Sequence, residues 1–343
     1  MALPTSAFEY DLPPELIAQR PSARRGESRL LVVQRRDGGL AHRSFADLLE
    51  LVPPGDLLVL NATRVRHARL LGRRPSGAPA EVLLLQPVGP DRWIALGRPG
   101  SALLPGKRVQ LAEGLVVETL EVLEDGSRLV RLLGGSAEEI MARVGRLPLP
   151  PYIERDPTPE DEERYQTVFA EREGSVAAPT AGLHFTLELL QELTRRGVQV
   201  ARLELQVGPG TFRPVETEDP SRHPMHAERY FIPEALPELV RQTRAQGGAI
   251  WAVGTTVVRA LEAATGEDAA LLAGPGETRL LITPGYRFRA VDRLITNFHL
   301  PRSTLLMLVA AFAGYETTRA AYAEAIRQGY RFYSYGDAMA VVP

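Results

Sequence analysis

AIWAVGTTVVRALEAAT, residues 249–265, decides the fold class. Ala249 to Val253 is a short apolar run of the kind a buried strand needs. The chain then passes through Gly254-Thr255-Thr256 directly into a helical pattern that lasts to about Thr265. A strand that turns at once into a helix belongs to an α/β domain. The turn itself places free N–H groups and threonine hydroxyls where a carboxylate or phosphate would sit. Arg259, about one helical turn in, could pair with the same anion. The plain reading, a capped helix with a surface arginine, stands beside it.

Outward from that segment, residues 152–343 alternate helices and strands. Thr158-Pro159 and Thr186 open helices, the second stopping at Gly197, and Val198 to Val207 alternates like a strand. On the N-terminal side, Pro14 suits a helix start before Glu15 to Gln19. Phe45 to Val52 reads as a helix stopped by Pro53-Pro54-Gly55, and Leu57 to Leu60 as a buried strand. Between these regions the texture is all-β, with strands expected at Glu81–Gln86, Arg92–Leu96, Arg108–Leu111, Leu115–Leu123 and Arg128–Leu133. Ser136-Ala-Glu-Glu139 is a capping box, and Gly145 to Pro151 a stiff, proline-rich return. The expected architecture is a barrel-like α/β main domain, a mixed sheet with helices, formed by residues 1–63 and 150–343. An inserted all-β barrel or sandwich domain spans residues 64–149.

The chain has 343 residues, enough for two domains, with 44% apolar and 24% charged residues, as in ordinary folded proteins. It has no cysteine, which excludes disulfides, thiolate metal sites and a cysteine nucleophile and fits a cytoplasmic location. The first residues, MALPTSAFEYDLPPEL, do not read as a signal peptide. The most apolar run, 303–314, is shorter than the roughly 20 residues a membrane span needs, so no membrane is expected. The net charge is −2, yet arginines cluster at 20–29, 34–36 and 63–74, and local basic patches can bind nucleic acid despite a neutral total.

Several loops could carry chemistry. In Ala178-Pro-Thr180-Ala-Gly182-Leu-His184, Gly182 permits unusual backbone conformations and close approach of a ligand. His184 is the side chain there that can move a proton near neutral pH. It could equally serve local carbonyls. Gly208-Pro-Gly210-Thr211-Phe212 could turn N–H groups toward an anion. Asn297 and His299 alternate in Thr296-Asn-Phe-His-Leu-Pro before Ser303 caps the apolar helix, and both need buried partners. His223-Pro-Met-His226-Ala-Glu228 could bind a metal, although Pro224 argues against a helical site. Tyr330-Arg-Phe-Tyr-Ser-Tyr-Gly-Asp337 could stack a base or form a C-terminal core strand. Taken together, these loops describe a cleft for a polar organic substrate.

The segments FEYDLPPELIAQRP, LLVLNATRVRHARL, VAAPTAGLHFT, VGPGTFRPV, HPMHAE, AVGTTVVRALE, LITNFHLPRSTLLMLVAAFAG and YRFYSYGDAM are collinear from residue 8 to about 339. In them the chain resembles the S-adenosylmethionine:tRNA ribosyltransferase-isomerases of queuosine biosynthesis. The resemblance implies transfer and isomerisation of the ribosyl part of S-adenosylmethionine onto 7-aminomethyl-7-deazaguanine at the wobble position of tRNA. It implies a main α/β domain with an inserted β domain, a monomer, and no cofactor beyond the consumed donor. It also implies proton carriers among His184, His226 and His299, with Glu228 and Asp337 next. Thr180, Gly182, Gly210, Thr211, Gly254, Thr255, Thr256, Arg259 and Asn297 become candidate substrate contacts. Arg64, Arg66, Arg69, Arg73 and Arg74 become candidate contacts to tRNA phosphates. The chain departs from the family pattern at Ala62, Glu204 and Gln206, where aspartate, threonine and histidine are usual. Two other readings remain open: a metal-dependent hydrolase using His223, His226 and Glu228, and a non-catalytic RNA-binding protein.

Overall fold

The computed structural model describes residues 3–208, 210 and 214–343. Its strands are β1 (Arg29–Gln34), β2 (Leu40–Ser44), β3 (Leu57–Asn61), β4 (Thr63–Val65), β5 (Arg69–Arg73), β6 (Pro79–Pro87), β7 (Arg92–Arg98), β8 (Arg108–Ala112), β9 (Leu115–Val122), β10 (Arg128–Leu133), β11 (Gly145–Arg146), β12 (Arg172–Ser175), β13 (Gln199–Leu205), β14 (Glu228–Ile232), β15 (Ile250–Val253), β16 (Gly274–Thr278), β17 (Arg293–Asn297) and β18 (Ala338–Val342). The helices are α1 (Leu48–Leu51), α2 (Ala137–Val144), α3 (Pro159–Arg164), α4 (Leu187–Arg195), α5 (Ala235–Ala245), α6 (Thr255–Ala264), α7 (Thr304–Ala313) and α8 (Tyr315–Arg327).

Nine strands form one sheet in the order β16-β14-β13-β3-β15-β17-β18-β1-β2. β13, β3, β15 and β17 run parallel, whereas β17–β18, β1–β2, β13–β14 and β14–β16 are antiparallel. Strands covered on both faces read as near-continuous apolar runs, and β3 and β15 are buried throughout, with Asn61 the polar residue that ends β3. Alternate residues feed two cores. Leu31, Leu57, Val59, Ile250, Ala252 and Leu294 pack with α6, α7 and α8 on one face. Leu30, Leu58, Leu60, Trp251, Val253 and Ile295 pack with α1 and α4 on the other.

The main sheet is open, not barrel-like as expected. β16 and β2 are its two edges and do not pair among the described residues. Each edge is built to stay unpaired: β16 carries Pro275, which lacks a donor, and β2 presents half-exposed and exposed residues such as His42 and Arg43.

The second sheet resolves the choice between barrel and sandwich. Its order is β11-β5-β6-β7-β10-β9-β8, and a β5–β8 pairing closes six of these strands into an antiparallel barrel. All five strands expected there exist. Closure depends on one the sequence reading missed, β5, because its arginines read as a basic patch. Gly72 makes the closing contact: a Cβ there would lie 2.5 Å from the Gln110 carbonyl oxygen and 2.6 Å from Val109 Cγ1. Leu70, Val82, Trp93, Val109, Val117 and Val130 fill the interior, plugged by Ile140 of α2 behind the expected Ser136–Glu139 capping box.

Two further expectations are corrected. Pro14 starts only a single 3-10 turn, Pro14–Leu16, after which Ile17 bridges to Phe332 in extended form. Residues 330–337 form no strand. The C-terminal strand is β18, and the preceding segment is a loop in which Tyr333 has φ 71. No helix among the described residues is long and apolar enough to cross a membrane.

Candidate functional site

The parallel strands β3, β15 and β17 end together, at Asn61, Val253 and Asn297, and the chain beyond such carboxyl ends is where open α/β sheets bind ligands. Each end is prepared differently. Asn61 turns its carboxamide sideways: Oδ1 accepts from the N–H groups of Leu205 (3.0 Å) and Thr63 (3.2 Å), and Nδ2 donates to the Leu205 carbonyl (3.0 Å) and Thr256 Oγ1 (3.3 Å). Val253 leads into Gly254, whose φ of 93 lets β15 turn into α6 without an intervening loop. No side chain caps α6, and its first residues, Thr255 and Thr256, are buried. Asn297 ends β17 and is buried.

The ends of β15 and β17 and two further segments line a cavity of about 40 Å³, with Thr180, Thr255, Thr256, Asn297, His299 and Tyr333 among its walls. The residues come from 3-10 turn Thr180–His184, α6, the end of β17 and the 330–337 loop. Sequence reasoning singled out all four segments separately, and here they meet.

His184 stands behind this cavity. It is buried against Phe45, with ring centroids 5.0 Å apart. Nδ1 lies 2.6 Å from Ser28 Oγ and Nε2 lies 3.2 Å from Asn297 Nδ2, so both ring nitrogens are engaged. Burial pushes its pKa down to about 4, and the ring is neutral at pH 7. His299 is also buried and neutral, with its pKa pushed down to about 3 by burial. Its Nε2 meets Thr296 Oγ1 at 2.7 Å, and its Nδ1 has no partner among the described residues. The Tyr322 hydroxyl accepts from its backbone N–H at 2.9 Å, and the Tyr10 hydroxyl donates to its carbonyl.

The other proposed proton carriers lie elsewhere. Glu228 and Arg259 form a buried ion pair, and Glu228 also accepts from the Gly208 N–H at 3.1 Å. Arg259 is therefore not a surface arginine standing free for a carboxylate. It also donates from Nε to the Leu280 carbonyl at 3.1 Å, and its Nη2 has no partner among the described residues. His226 is one-third exposed, in a separate groove of about 380 Å³ between the barrel and the main sheet, with Nδ1 3.7 Å from Asp125. Val207 borders both cavities. Asp337 is fully occupied in organising the 330–337 loop. It accepts from the backbone N–H groups of Arg29 (3.0 Å) and Arg331 (2.9 Å) and pairs with the Arg29 guanidinium at 3.2 Å. Its carboxylate serves the fold.

His223, His226 and Glu228 do not converge, and no group of three such side chains among the described residues could hold a metal ion. Gly182 is corrected as well: a Cβ there would come within 2.8 Å of both Phe169 Cζ and Thr167 Cγ2, so its smallness serves packing and not ligand approach. Gly210 lies against His226, where a Cβ would come within 2.9 Å of Cδ2. Thr211 lies outside the described residues. Among the arginines, Arg69 is neutralised by Glu81 (3.0 Å) and Asp156 (3.3 Å). Arg64 and Arg66 donate to the carbonyls of Ala170 and Glu173, Arg73 is exposed, and Arg74 is half-buried. At the departures from the family pattern, Ala62 is buried, Glu204 pairs with Arg172 at 3.2 Å, and Gln206 lines the barrel groove.

Sequence reasoning missed Ser28, Tyr152, Ser334 and the buried Asp161. The Tyr152 hydroxyl meets Ser334 Oγ at 2.6 Å, and its ring lies 4.6 Å from that of Tyr333. The Tyr335 hydroxyl donates to Asp161 at 2.7 Å. Burial opposes ionisation of Asp161, but Arg155, Thr158 and Tyr335 outweigh it and hold the carboxyl well below the usual range. Asp161 therefore anchors the loop. Its signal in the sequence was the third helical position after Thr158, a capping-box place within an otherwise solvated acidic run.

An open mixed α/β sheet with its cavity at the carboxyl ends of parallel strands, joined to a closed β-barrel, defines an α/β protein of the ligand-binding, enzyme-like class. The chain belongs to the queuosine biosynthesis protein family, whose model matches residues 5–341. It is 52% identical over 340 residues to the S-adenosylmethionine:tRNA ribosyltransferase-isomerase of Symbiobacterium thermophilum, covering 98% of this chain and 99% of that one. The enzyme of that name from Thermus thermophilus is 52% identical over 346 residues, with 98% and 99% covered. The crystal structure of S-adenosylmethionine tRNA ribosyltransferase from Thermotoga maritima matches with a TM-score of 0.57 at 37% identity, covering 98% of this chain and all of that one.

Proposed function

We propose that the chain is an S-adenosylmethionine:tRNA ribosyltransferase-isomerase. It moves and isomerises the ribosyl part of S-adenosylmethionine onto 7-aminomethyl-7-deazaguanine at the tRNA wobble position, giving epoxyqueuosine-tRNA and releasing adenine and methionine. The observation that carries this reading is the convergence of PTAGLH, VGTT, TNFHL and YRFYSY on one cavity at the carboxyl ends of β15 and β17. The cavity combines aromatic rings, hydroxyls and an uncapped helix start, which suits a nucleoside with a carboxylate tail. The donor is consumed, so the reaction calls for no resident cofactor.

The chemistry needs proton transfers. The sulfonium acidifies the neighbouring ribose C5′ protons, adenine leaves more easily when protonated, and the aminomethyl nitrogen must be neutral to attack. Two imidazoles border or back the cavity. Of these, His299 keeps an uncommitted ring nitrogen, and we assign it the proton transfer at the donor. His226, in the barrel groove, suits the acceptor side. The barrel strands all lie between β4 and β12 in sequence, which supports reading residues 64–149 as a domain inserted between 1–63 and 150–343. Arg64, Arg66, Arg73 and Arg74 at that junction are assigned to tRNA phosphates, and Arg69 is not. The enzyme is taken to act as a cytoplasmic monomer. Neither the hydrolase nor the non-catalytic reading has a supporting feature among the described residues.

The test is incubation with S-adenosylmethionine and tRNA. Adenine and methionine should appear in equal amounts, and only with tRNA carrying 7-aminomethyl-7-deazaguanine. Release without that base, or none with it, would overturn the reading.

A further inference from the structure

The Asn297 carboxamide is buried at the end of β17. Its Nδ2 donates to the Tyr333 carbonyl at 3.0 Å and lies 3.2 Å from His184 Nε2. A backbone carbonyl only accepts, so Tyr333 fixes which way the amide faces. His184 must then offer its Nε2 lone pair, and the proton of the neutral ring sits on Nδ1, where it donates to Ser28 Oγ at 2.6 Å. Donors and acceptors match along Ser28, His184, Asn297 and Tyr333 except at one atom. Asn297 Oδ1 is buried and has no partner among the described residues. Buried acceptors are rarely left without a donor, and this one belongs to a side chain that lines the cavity.

The surroundings say what kind of donor it lacks. Tyr333 stands at φ 71, a conformation costly for a bulky side chain, and is held there by the Asn297 bond, by its own N–H to the Phe298 carbonyl (3.2 Å), and by Gly336 N–H to its carbonyl (3.0 Å). Its ring, with Tyr152 and Phe298, makes the Asn297 end of the cavity aromatic. Thr255 and Thr256, at the N-terminus of α6, add hydroxyls to the same lining. A flat heterocycle suits the aromatic rings beside Asn297, and a carboxylate suits the helix start.

We propose that Asn297 Oδ1 accepts a hydrogen bond from the exocyclic amine of the donor's adenine, and that His184 is a positioning residue that aims Asn297 and carries no proton itself. This rests on the donor being S-adenosylmethionine. His184 is unsuited to proton transfer because both its nitrogens are committed and it is sealed beneath Phe45. The neighbouring Nδ2 is spent on Tyr333 and His184, so Oδ1 is the atom that reads the base.

Calorimetric titration tests this with S-adenosylmethionine and its 6-oxo analogue, in which hypoxanthine replaces adenine and sets a carbonyl against Oδ1. The wild-type protein should prefer the adenine compound by roughly tenfold or more. Asn297→Leu should bind the two alike by losing affinity for the adenine compound alone. His184→Gln, which keeps an acceptor, should retain most of the preference, and His184→Leu should lose it. Equal wild-type affinity for the two ligands overturns the proposal without any variant. So does an Asn297→Leu protein that still discriminates. If the wild-type protein binds neither ligand, the functional reading beneath the proposal falls with it.

Discussion

At the residue scale, the burial of His184 and His299 has a consequence for stability. Their pKa values are pushed down to about 4 and about 3, against about 6.5 for the unfolded chain. Below about 6.5 the unfolded chain takes up protons that the folded protein refuses. Stability is therefore fully present above that pH and is lost as the pH falls toward 4 and then 3. The shifts correspond to roughly 3 kcal/mol for His184 and roughly 5 kcal/mol for His299 across their windows. Urea unfolding at pH 7 and pH 4.5 should show this drop, and His184→Gln should flatten it. An unchanged drop in His184→Gln would assign the effect to other groups. Residues of this kind were legible in part. His184, Asn297 and His299 stood out because polar side chains amid apolar runs need partners. Their roles were not legible, because whether an imidazole moves a proton or holds a neighbour depends on contacts such as Ser28, 156 positions away in the chain.

At the element scale, local signals were strongest where one short pattern fixes one element. The Ser136–Glu139 capping box and the Ser303 cap both formed, with Glu139 N–H on Ser136 Oγ at 3.2 Å and Leu306 N–H on Ser303 Oγ at 3.2 Å. β15 runs into α6 as the opening stretch implies. β5 was hidden because a barrel strand shows its charges outside, and RLLGR reads as basic before its Leu70 and Gly72 are seen to face inward. Gly72→Ala tests that strand. Its new Cβ would meet a backbone oxygen that cannot turn aside, so the barrel should lose about 1–3 kcal/mol by denaturant titration. A neutral result would mean that the β5–β8 closure contributes little. Of the two readings of 330–337, the core strand failed for a related reason. Its aromatic residues suit a sheet, but the long-range bonds of Asp337 and Asn297 override that preference.

At the scale of the whole molecule, the α/β class and the presence of a β domain were legible from texture alone. The closed barrel and the open main sheet were not, since both turn on which edges pair. The expected single cleft is two neighbouring spaces, an aromatic and hydroxyl-lined cavity at the carboxyl ends of the parallel strands and a groove against the barrel, with Val207 between them. This division suits a reaction between a small donor and a base presented by a large nucleic acid. The central claim is that the ribosyl carbons of the donor end in the tRNA. The direct measurement uses S-adenosylmethionine labelled in the ribose, in the adenine or in the methionine carboxyl, each with precursor-modified tRNA. The account predicts that ribose label alone becomes acid-precipitable with the tRNA, while the other two labels are released free. Ribose label that stays with adenine or methionine, or methionine label found on the tRNA, would contradict it.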